Sequence, residues 1–489
     1  MIRRTLLLSL AALAVLALIV GINTARQSSR QLQVPPVAAE AIDGAAAAER
    51  LAAAVRLRTV SYETPSAESR AALLQLHTYL AEAFPKTHAT LRRETVNDYS
   101  LLYTWPGSDP AAAPILLMAH QDVVPVAPGT EASWHAAPFA GEIRDGYVWG
   151  RGTWDDKGNV MAILEGVERL IARGFQPRQT VYLAFGHDEE NGGRDGARAI
   201  AALLKSRGVH LSFVLDEGML ITLGMIPGLE PPAALVGVAE KGYLTLKLTA
   251  EATPGHSSMP GNRSAIGALA AALMRLEHMP MPAAIRGTVA EMFDTLAPEM
   301  HGFSRVVLTN RWLFGRLLKD RLAAAPATNA LMRTTTAETM IRAGDKENVL
   351  PGSAAAWINF RLLPGDTIAA VLAHTRHVVA DERIRIEVLP GAMEPSPVSP
   401  IAGAGYQLVS RTVRELYPGV LVAPGLLIGG TDSRHMADIA DGVYRFSPVR
   451  ATSADLARFH GTDERIAIDN YVELIRFYER LLENAAQPR

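Results

Sequence analysis

Cysteine is absent from this chain of 489 residues. Without thiols the protein can form no disulfide bond, and it can offer no thiolate to a metal ion or to a nucleophilic mechanism. Histidine, aspartate and glutamate side chains are therefore the ligands available to any metal ion.

A large excess of charge of either sign is also missing. The formal net charge is −2, from 48 basic and 50 acidic residues, so a nucleic-acid partner has no electrostatic support. Hydrophobic residues make up 48% of the chain, which is typical of a globular protein with a sizeable core. Because single cores stop growing near about 250–300 residues, this length predicts two or more domains.

Residues 5–22 contain no charge and follow Arg3 and Arg4. At about 1.5 Å per residue, a helix of that length covers roughly 27 Å, which is just enough to cross a hydrocarbon core. This favours an uncleaved anchor that leaves the two arginines in the cytoplasm and the bulk of the chain outside. A cleaved signal sequence stays open, although residues 23–25 match the cleavage pattern only weakly. We expect one or the other in residues 1–25.

Three short apolar runs each end at side chains that can bind metal. Runs of this length, rich in valine, isoleucine, leucine and aromatic residues, predict buried strands. They are residues 114–119, followed by His120 and Asp122; residues 180–185, followed by Glu189 and Glu190; and residues 211–215, followed by Asp216. In an open parallel sheet the site lies beyond the carboxyl ends of the strands, so we expect these groups to converge. Taken singly, each is equally typical of a capped strand end or a solvated turn.

Two further groups precede predicted helices. Asp155 and Asp156 come just before a helix predicted over residues 159–173, and His460 comes before one predicted over residues 469–485. Acidic residues are common at helix starts because they satisfy free N–H groups, so each group alone leaves the choice open. Together, two histidines and three carboxylates fit a dinuclear zinc site with one bridging carboxylate.

Strands and helices alternate up to Glu240, which predicts an α/β domain. From there the pattern changes, because residues 243–251 alternate strictly between apolar and polar, as in a half-exposed antiparallel strand. Later elements continue the change, with predicted strands at 356–362 and 383–389 and predicted helices at 264–277 and 367–380. We expect an inserted α+β domain over residues 241–390. Apolar helical pieces such as residues 310–322 are expected to elaborate that insert.

An ordered set of motifs runs through nearly the whole chain after residue 45. It comprises His120-Gln121-Asp122 with Pro125, Gly150 to Gly158 around Asp155, Asp188-Glu189-Glu190, Asp216-Glu217-Gly218, Thr253-Pro254-Gly255-His256, Asn348 to Pro351, Arg361, Gly429 to Arg434, and His460-Gly461. The set resembles the dizinc metallopeptidase family that includes aminoacylase, glutamate carboxypeptidase, succinyl-diaminopimelate desuccinylase and vacuolar carboxypeptidase S. Residues 134–139 and the long insert are most similar to the branch of carboxypeptidase S and the N-acyl-amino-acid hydrolases.

The resemblance implies a mixed-sheet α/β zinc-hydrolase catalytic domain with an inserted α+β lid of the dimerisation type. The expected organisation is a linker at residues 26–44, a catalytic domain formed by residues 45–240 and 391–489, and a lid formed by residues 241–390.

The same resemblance implies the ligands and the base. The implied metal ligands are a bridging Asp155, His120 and Asp216 on one zinc ion, and Glu190 and His460 on the other. Asp122 is placed to orient His120 through a hydrogen bond. Glu189 would be the general base, which takes a proton from the metal-bridging water and passes it to the leaving amine. A cis peptide bond between Asp155 and Asp156 is also implied.

The remaining matched residues concern the substrate. His256 would stabilise the oxyanion from the lid, often across a dimer in this family. Asn348 and Arg361 would hold the substrate's carbonyl and carboxylate, and a guanidinium fork suits a carboxylate. Arg434 is a second candidate for the carboxylate, with pairing to a nearby acid as the alternative.

We therefore expect a zinc-dependent amidohydrolase or carboxypeptidase that cleaves peptidyl or N-acyl amino acids with a free carboxylate. It would carry two zinc ions per chain, with cobalt or manganese as substitutes, and form a homodimer through the lid. It would be anchored outside the cytoplasm, in the periplasm of a bacterium, or secreted after signal cleavage. The alternatives are an N-fatty-acyl amino-acid hydrolase/synthase, an aminopeptidase, which would not need the lid, and a non-catalytic zinc- or ligand-binding module.

Overall fold

The computed structural model describes residues 2–38, 40–64 and 66–487. Residues 1, 39, 65 and 488–489, which belong to the predicted anchor, linker and catalytic segments, lie outside the described residues. The α-helices are α1 (Ile2–Arg26), α2 (Gly44–Val55), α3 (Ala67–Ala83), α4 (Pro85–Thr90), α5 (Lys157–Ala172), α6 (Ala197–Ser206), α7 (Ala265–His278), α8 (Gly287–Leu296), α9 (Gly302–Thr309), α10 (Arg311–Ala323), α11 (Pro326–Met332), α12 (Ile368–Val379), α13 (Ala404–Leu416) and α14 (Ile468–Ala486).

The strands of the described residues form two main sheets and two small ones. They are β1 (Arg92–Val96), β2 (Ser100–Trp105), β3 (Ile115–His120), β4 (Glu142–Arg144), β5 (Tyr147–Trp149), β6 (Val181–Gly186), β7 (Phe213–Asp216), β8 (Ile221–Thr222), β9 (Ala233–Glu240), β10 (Gly242–Glu251), β11 (Gly255–His256), β12 (Thr335–Ala343), β13 (Val349–Leu350), β14 (Ser353–Leu362), β15 (Ile384–Val388), β16 (Leu421–Leu427), β17 (Val443–Arg445), β18 (Arg450–Ala451) and β19 (Arg465–Ala467).

The largest sheet formed by the described residues has ten strands of mixed direction. Its centre is a parallel block in the order β6, β3, β7, β17. Antiparallel neighbours continue the sheet on both sides, with β2 against β6 and β9 against β17. The mixed α/β fold predicted from the sequence is confirmed.

Strand β3 shows why the central strands are apolar throughout. Ile115 and Leu117 contribute to a core that also contains residues of α5 and α14. Leu116 and Met118, which point the other way, contribute to a second core with residues of α6. Because both faces are covered by helices, polar side chains can appear only where the strand ends, and β3 ends at His120.

A separate antiparallel sheet has the strand order β12, β14, β10, β15. The alternation predicted for β10 is confirmed, with Leu244, Leu246 and Leu248 buried in a core shared with α7 and α12. Strand β12 was not predicted. Most of its residues are exposed, so it lacks the apolar alternation by which a strand is recognised in a sequence.

Helices α8 to α11 do not cover this second sheet. Val289 and Phe293 of α8 share a core with Leu421 and Ala423 of β16, which belongs to the main sheet. The helical pieces that we expected to elaborate the insert therefore pack on the edge of the main sheet, and α10 corresponds to the piece predicted over residues 310–322.

The linker is held along the main domain. The Gln31 side chain donates a hydrogen bond to the carbonyl of Val422 at 3.0 Å and accepts one from its N–H at 2.7 Å. Arg414 donates to the carbonyl of Leu32 at 3.2 Å, and the N–H of Val37 donates to the carbonyl of Glu415 at 3.0 Å. A polar segment that reads as a free tether is thus fixed by its own amide groups.

Helix α1 is long and apolar enough to cross a membrane, and none of its most apolar window is buried in the protein. The support for a membrane span is the length and composition of α1. A signal sequence near the N-terminus has the same length and composition, so these two properties do not distinguish the two alternatives.

Candidate active site

Asp155 lies between two histidines, His120 and His460, that are 340 residues apart in the chain. Its Oδ1 atom lies 2.9 Å from Nε2 of His120, and its Oδ2 atom lies 2.7 Å from Nε2 of His460. Oε2 of Glu190 lies 3.5 Å from the same nitrogen of His460. Candidate ligand atoms of His120, Asp155 and Glu190 lie within 4.8 Å of one another. One carboxylate oxygen faces each imidazole, which is what a carboxylate that bridges two cations must do.

Asp122 fixes the orientation of this cluster from behind. The Nδ1 atom of His120 lies 2.9 Å from the Asp122 carbonyl oxygen and 3.3 Å from its Oδ1 atom. The two carboxylate oxygens of Asp122 also accept the N–H groups of Glu189 and Glu190, each at 3.2 Å. Asp122 therefore holds a histidine from β3 and the turn after β6 in one arrangement.

The buried carboxylates of this cluster are stabilised by positive charge close to them. Burial raises the pKa of Glu189 to about 8 and that of Glu190 to about 10, and the nearby Asp155 carboxylate adds to both rises. Oε1 of Glu190 is buried and has no hydrogen-bond partner among the described residues. Burial would lower the pKa of His120, but the carboxylates of Asp122 and Asp155 hold it well above its usual value. A proton on this imidazole thus supplies charge that a cation can replace.

Asp216 lies at the carboxyl end of β7, next to β3 in the parallel block. It is buried, and its carboxylate accepts the N–H groups of Glu217 at 3.0 Å and of Ser433 at 2.8 Å. Burial raises the pKa of Asp216, and these two hydrogen bonds, with the charges of Arg445 and His120, partly offset the rise. The structure therefore brings Asp216 to the same edge, outside the tightest group of ligand atoms.

His460 is the most exposed member, with 47% of its side chain accessible. Its backbone is left-handed, with φ 58°, and its ring stacks on Phe459 with centroids 4.5 Å apart. The Arg151 guanidinium donates to the carbonyl oxygens of His460 and Gly461 at 3.2 and 2.9 Å. This loop carries the histidine to the cluster from just ahead of α14.

Glu464 was missed by the sequence analysis. Its buried carboxylate accepts the N–H groups of Gly152, Trp154 and Asp155 at 2.9, 2.9 and 3.1 Å, and it pairs with Arg151 at 2.5 Å. The loop that presents Asp155 is thus built around one carboxylate. Only its position four residues after His460 could have indicated this role.

The peptide bond between Asp155 and Asp156 is cis, as the resemblance implied. The carboxylates of Asp155 and Asp156 contact different neighbours. Oδ2 of Asp156 accepts the N–H of His120 at 3.1 Å, and its Oδ1 accepts the side-chain amide of Asn159 at 2.5 Å. Asp156 therefore links the backbone of His120 to the first turn of α5.

The structure does not bring His256 or Asn348 into the cluster. His256 lies on β11, is exposed, and its Nδ1 atom is 2.8 Å from the Ser258 hydroxyl oxygen. Asn348, also exposed, lies beside it, because its carbonyl accepts the N–H of Ser257 at 3.1 Å. We call residues 255–258 and 348–350 the lid corner.

Arg361 and Arg434 lie closer to the ligands. The Arg361 guanidinium lies 5.0 Å from the ring centroid of Tyr243, and burial lowers its pKa, as does the charge of Arg434. Arg434 donates to the carbonyl of Thr431 at 2.7 Å and lies 3.6 Å from Glu240, the nearby acid of the alternative role. Its charge also acts on Glu189. Two partly buried guanidinium groups that repel one another make a favourable site for an anion.

Buried imidazole and carboxylate groups at the carboxyl edge of a mixed α/β sheet, with no thiolate, define the class of metal-dependent hydrolases. Residues 116–484 match the sequence profile of peptidase family M20/M25/M40, and the chain belongs to that family.

Two relatives illustrate the range of the family. The chain is 42% identical over 441 residues to an N-fatty-acyl-amino acid synthase/hydrolase PM20D1 of Xenopus tropicalis, which covers 89% of this chain and 85% of the relative. It is 40% identical over 477 residues to a probable carboxypeptidase S-like 2 of Dictyostelium discoideum, which covers 96% and 91% of the two chains.

Solved structures agree on the fold. An M20 family metallo-carboxypeptidase of Sulfolobus solfataricus superposes with a TM-score of 0.65 at 18% identity, over 91% of this chain and all of that one. A dinuclear metal binding peptidase of the M20 family from Bacillus subtilis gives 0.55 at 14% identity, over 90% and 98% of the two chains. The expected family and fold are confirmed. The protein is a metal-dependent hydrolase of the peptidase and amidohydrolase type.

Proposed function

We propose that this enzyme uses two zinc ions to hydrolyse the amide bond of peptidyl or N-acyl amino acids that carry a free carboxylate. The observation that carries the proposal is the position of Asp155, with one oxygen toward His120 and the other toward His460. Nitrogen and oxygen donors in a buried, shaped site suit zinc, with cobalt or manganese as substitutes.

The proposed ligand sets follow the two sides of Asp155. His120 and Asp216 would hold one ion, and His460 and Glu190 the other. Support for the second set comes from Glu190, whose Oε1 atom is buried without a hydrogen-bond partner among the described residues. Support for the first comes from the hydrogen bonds to Asp216, which fix its carboxylate at the end of β7.

Cations bound there would supply Lewis acidity, polarising the scissile carbonyl and lowering the pKa of water to about 7. We assign Glu189 as general base. Its carboxylate takes a proton from the attacking water and delivers it to the leaving amine, which restores the carboxylate. Its backbone is fixed by Asp122, and its Oε2 atom lies 4.0 Å from Nε2 of His120, so it sits beside the ligands.

Arg361 is proposed to bind the substrate carboxylate, with Arg434 as a second donor. The mutual repulsion of the two guanidinium groups favours an anion near both. His256 and Asn348 would act on the substrate carbonyl, and the lid corner can do so only after lid closure or from a partner subunit. A homodimer through the lid is therefore part of the proposal.

Two substrate classes remain in competition. The 42% identical relative is named an N-fatty-acyl-amino acid synthase/hydrolase, and the 40% identical one a probable carboxypeptidase. The first name favours long-chain N-acyl amino acids as a second candidate substrate, with the reverse condensation as a second activity. We further propose that α1 anchors the enzyme with its catalytic domain outside the cytoplasm.

A substrate panel tests this proposal. The full chain, purified in detergent and loaded with zinc, is assayed on dipeptides, on long-chain N-acyl amino acids, and on the methyl esters of both. We expect hydrolysis of free acids, weak or no amide cleavage in the esters, and loss of activity with a chelator that zinc reverses. Amide hydrolysis that survives complete metal removal, or that is equal for acids and esters, would contradict it.

A further inference from the structure

Helices α9 and α10 expose a group of apolar side chains that are not packed in a core. Phe303, Trp312, Leu313 and Leu317 are all exposed, Phe303 by 67% and Trp312 by 59%. We call these four residues the α9–α10 patch. The opposite side of α10 is used for packing, because Leu318 and Leu322 rest against the core under β16. The patch is therefore a second apolar face, on a helix that is already attached.

The outward positions of α10 follow one helical stripe. The exposed residues of α10 are Trp312, Leu313, Arg316, Leu317, Asp320 and Arg321, spaced four apart in two adjacent rows. Three of these side chains, Trp312, Leu313 and Leu317, are apolar, and the other three are charged. Helices α9 and α10 together carry five basic side chains and one acidic one. Exposed tryptophan, leucine and phenylalanine side chains beside arginine are enriched where proteins meet a membrane interface.

The patch lies beside the end of the candidate span. The Asn310 side chain, between α9 and α10, donates to the Val20 carbonyl at 3.4 Å and to the Thr24 hydroxyl at 3.0 Å. The hydroxyl oxygens of Thr24 and Thr309 are 3.0 Å apart. Trp312 is tied to the same point, because its indole N–H donates to Oδ1 of Asn310 at 3.3 Å.

The length of α1 then sets the level of the patch. Its 25 residues cover about 37 Å, somewhat more than a hydrocarbon core of about 30 Å. With Arg3 and Arg4 on the cytoplasmic side, the last turns of α1 would reach the outer interface. Asn310 and Trp312 lie at those turns, at the depth where tryptophan is enriched in membrane proteins.

We propose that the α9–α10 patch lies in the headgroup layer of the bilayer that α1 crosses, and that the exposed Arg316 and Arg321 contact anionic lipids. This inference rests on the proposed anchoring by α1. The hydrogen bonds between Gln31 and Val422 fix the linker to the main domain. The main domain would therefore lie in one orientation against the non-cytoplasmic face of the bilayer that α1 crosses.

The lack of cysteine makes a direct test clean, because a single introduced cysteine takes the only spin label. The full chain is labelled at Leu317→Cys and reconstituted in vesicles of phosphatidylcholine and phosphatidylglycerol. Leu74→Cys on α3 is the matched control, since Leu74 is 51% exposed and Leu317 is 50% exposed. We expect the Leu317 label to collide several-fold more with oxygen, relative to a water-soluble nickel chelate, than the Leu74 label does.

Equal collision ratios at the two positions would overturn the inference. So would loss of access to both reagents with spin–spin broadening that disappears on dilution with unlabelled protein, because a second copy would then cover the patch. A third label, at Leu13→Cys in α1, separates the two proposals. A Leu13 label in the bilayer with a Leu317 label in water refutes only the patch, whereas both labels in water refute the anchor as well.

A second variant needs no label. Quenching of tryptophan fluorescence by brominated lipids should fall strongly in Trp312→Phe and stay unchanged in Trp357→Phe, since Trp357 lies on β14 of the second sheet. Unchanged quenching in Trp312→Phe would overturn the inference.

Discussion

The carboxyl edge of the main sheet and the lid corner each present a histidine, but they hold it in opposite ways. His120 is buried and fixed through both ring nitrogens, by Asp122 and Asp155. His256 is exposed, and its Nδ1 atom contacts only the hydroxyl group and the backbone N–H of Ser258 among the described residues, at 2.8 and 3.1 Å. Packing of the main core therefore builds the proposed metal-binding half of the site in advance. The lid corner, which is proposed to act on the substrate carbonyl, lies on the two-stranded sheet of β11 and β13. It would reach the carbonyl through closure of the lid or from a second subunit.

The sheet edge and the lid corner also differ in how far their charged and polar groups are buried. Several carboxylates are forced together at the sheet edge, at a cost in desolvation that cations can offset. The lid corner carries no such burden, because its polar groups remain in water. The two regions should consequently differ in how mutations and metal affect them.

The largest effect is expected for the proposed general base. Glu189→Ala should lower kcat by up to about 10⁴-fold, because proton transfer is lost, while two metal ions still bind. Turnover and metal content of the same sample are the measurements. Loss of zinc in this variant would mean that the roles of Glu189 and Glu190 are exchanged, and Glu190→Ala is the matched control.

The lid histidine should come second. His256→Ala should cost roughly 100- to 1000-fold in kcat, the usual size of an oxyanion contribution, with no change in metal content. A loss of only a few-fold would remove His256 from the mechanism.

Mixing this variant with Glu189→Ala sharpens the comparison. Restored activity in mixed dimers would mean that His256 acts across subunits. No rescue, despite proven subunit exchange, would mean that each chain closes its own lid.

Asp122→Asn should weaken metal binding by about 10- to 100-fold, as is typical when a partner of a ligating histidine is changed. The asparagine keeps the size of the side chain, but it offers one acceptor oxygen where Glu189 and Glu190 now use two. Titration with zinc in a competing chelator measures the shift. Unchanged affinity would show that the sheet edge is not preformed by Asp122.

Metal removal should make the Tm depend on pH, because the buried carboxylates then lack the cations that would stabilise their charged form. In metal-free protein the pKa values of Glu189 and Glu190 are raised, to about 8 and about 10, so the folded state binds more protons than the unfolded state above about pH 4.5. That stabilisation is complete at low pH and is lost as pH rises. We expect the Tm to fall by several degrees between about pH 5 and about pH 7, below the range in which Lys157, with its pKa lowered to about 7 by burial, adds an opposite slope. Burial also lowers the pKa of His77, His88 and His435, which opposes the fall inside this window. The part of the slope that comes from the two glutamates is therefore measured as the difference from the double variant below.

Zinc should reduce this slope, and so should a Glu189→Gln, Glu190→Gln double variant without metal. A metal-free Tm that rises over the same interval would contradict the account of the charges.

The smallest effect should be that of Ser258→Ala. It removes the hydroxyl beside Nδ1 of His256, as Asp122→Asn changes the partner of His120, but at an exposed position where water replaces the bond. We expect a change in kcat of at most about 10-fold, the upper range for a single hydrogen bond. An effect equal to that of His256→Ala would mean that the lid corner is as rigidly organised as the sheet edge.

Much of the site could be predicted because its residues follow buried strands. The apolar runs that stop at His120 and Asp216 predict both a strand and the residue at which it ends. Because β3 and β7 are parallel neighbours, their ends bring the two side chains to the same edge of the sheet. The alternation in β10 was equally visible, since it has a regular period. The helix α10 was predicted from its apolar residues.

What could not be predicted depends on approach between distant segments. Glu464 looks like an ordinary acid ahead of a helix, and its role arises only where residues 150–155 fold around it. Gln31 looks like part of a loose tether until it meets the edge of β16. Strand β12 is exposed and takes its conformation from pairing with β14.

Anomalous diffraction from crystals of the zinc-loaded enzyme, recorded on both sides of the zinc absorption edge, tests the central claim most directly. We predict two zinc peaks per chain that share the Asp155 carboxylate, one beside His120 and Asp216 and the other beside His460 and Glu190. A single peak, or two peaks that do not share Asp155, would contradict the proposed two-ion site.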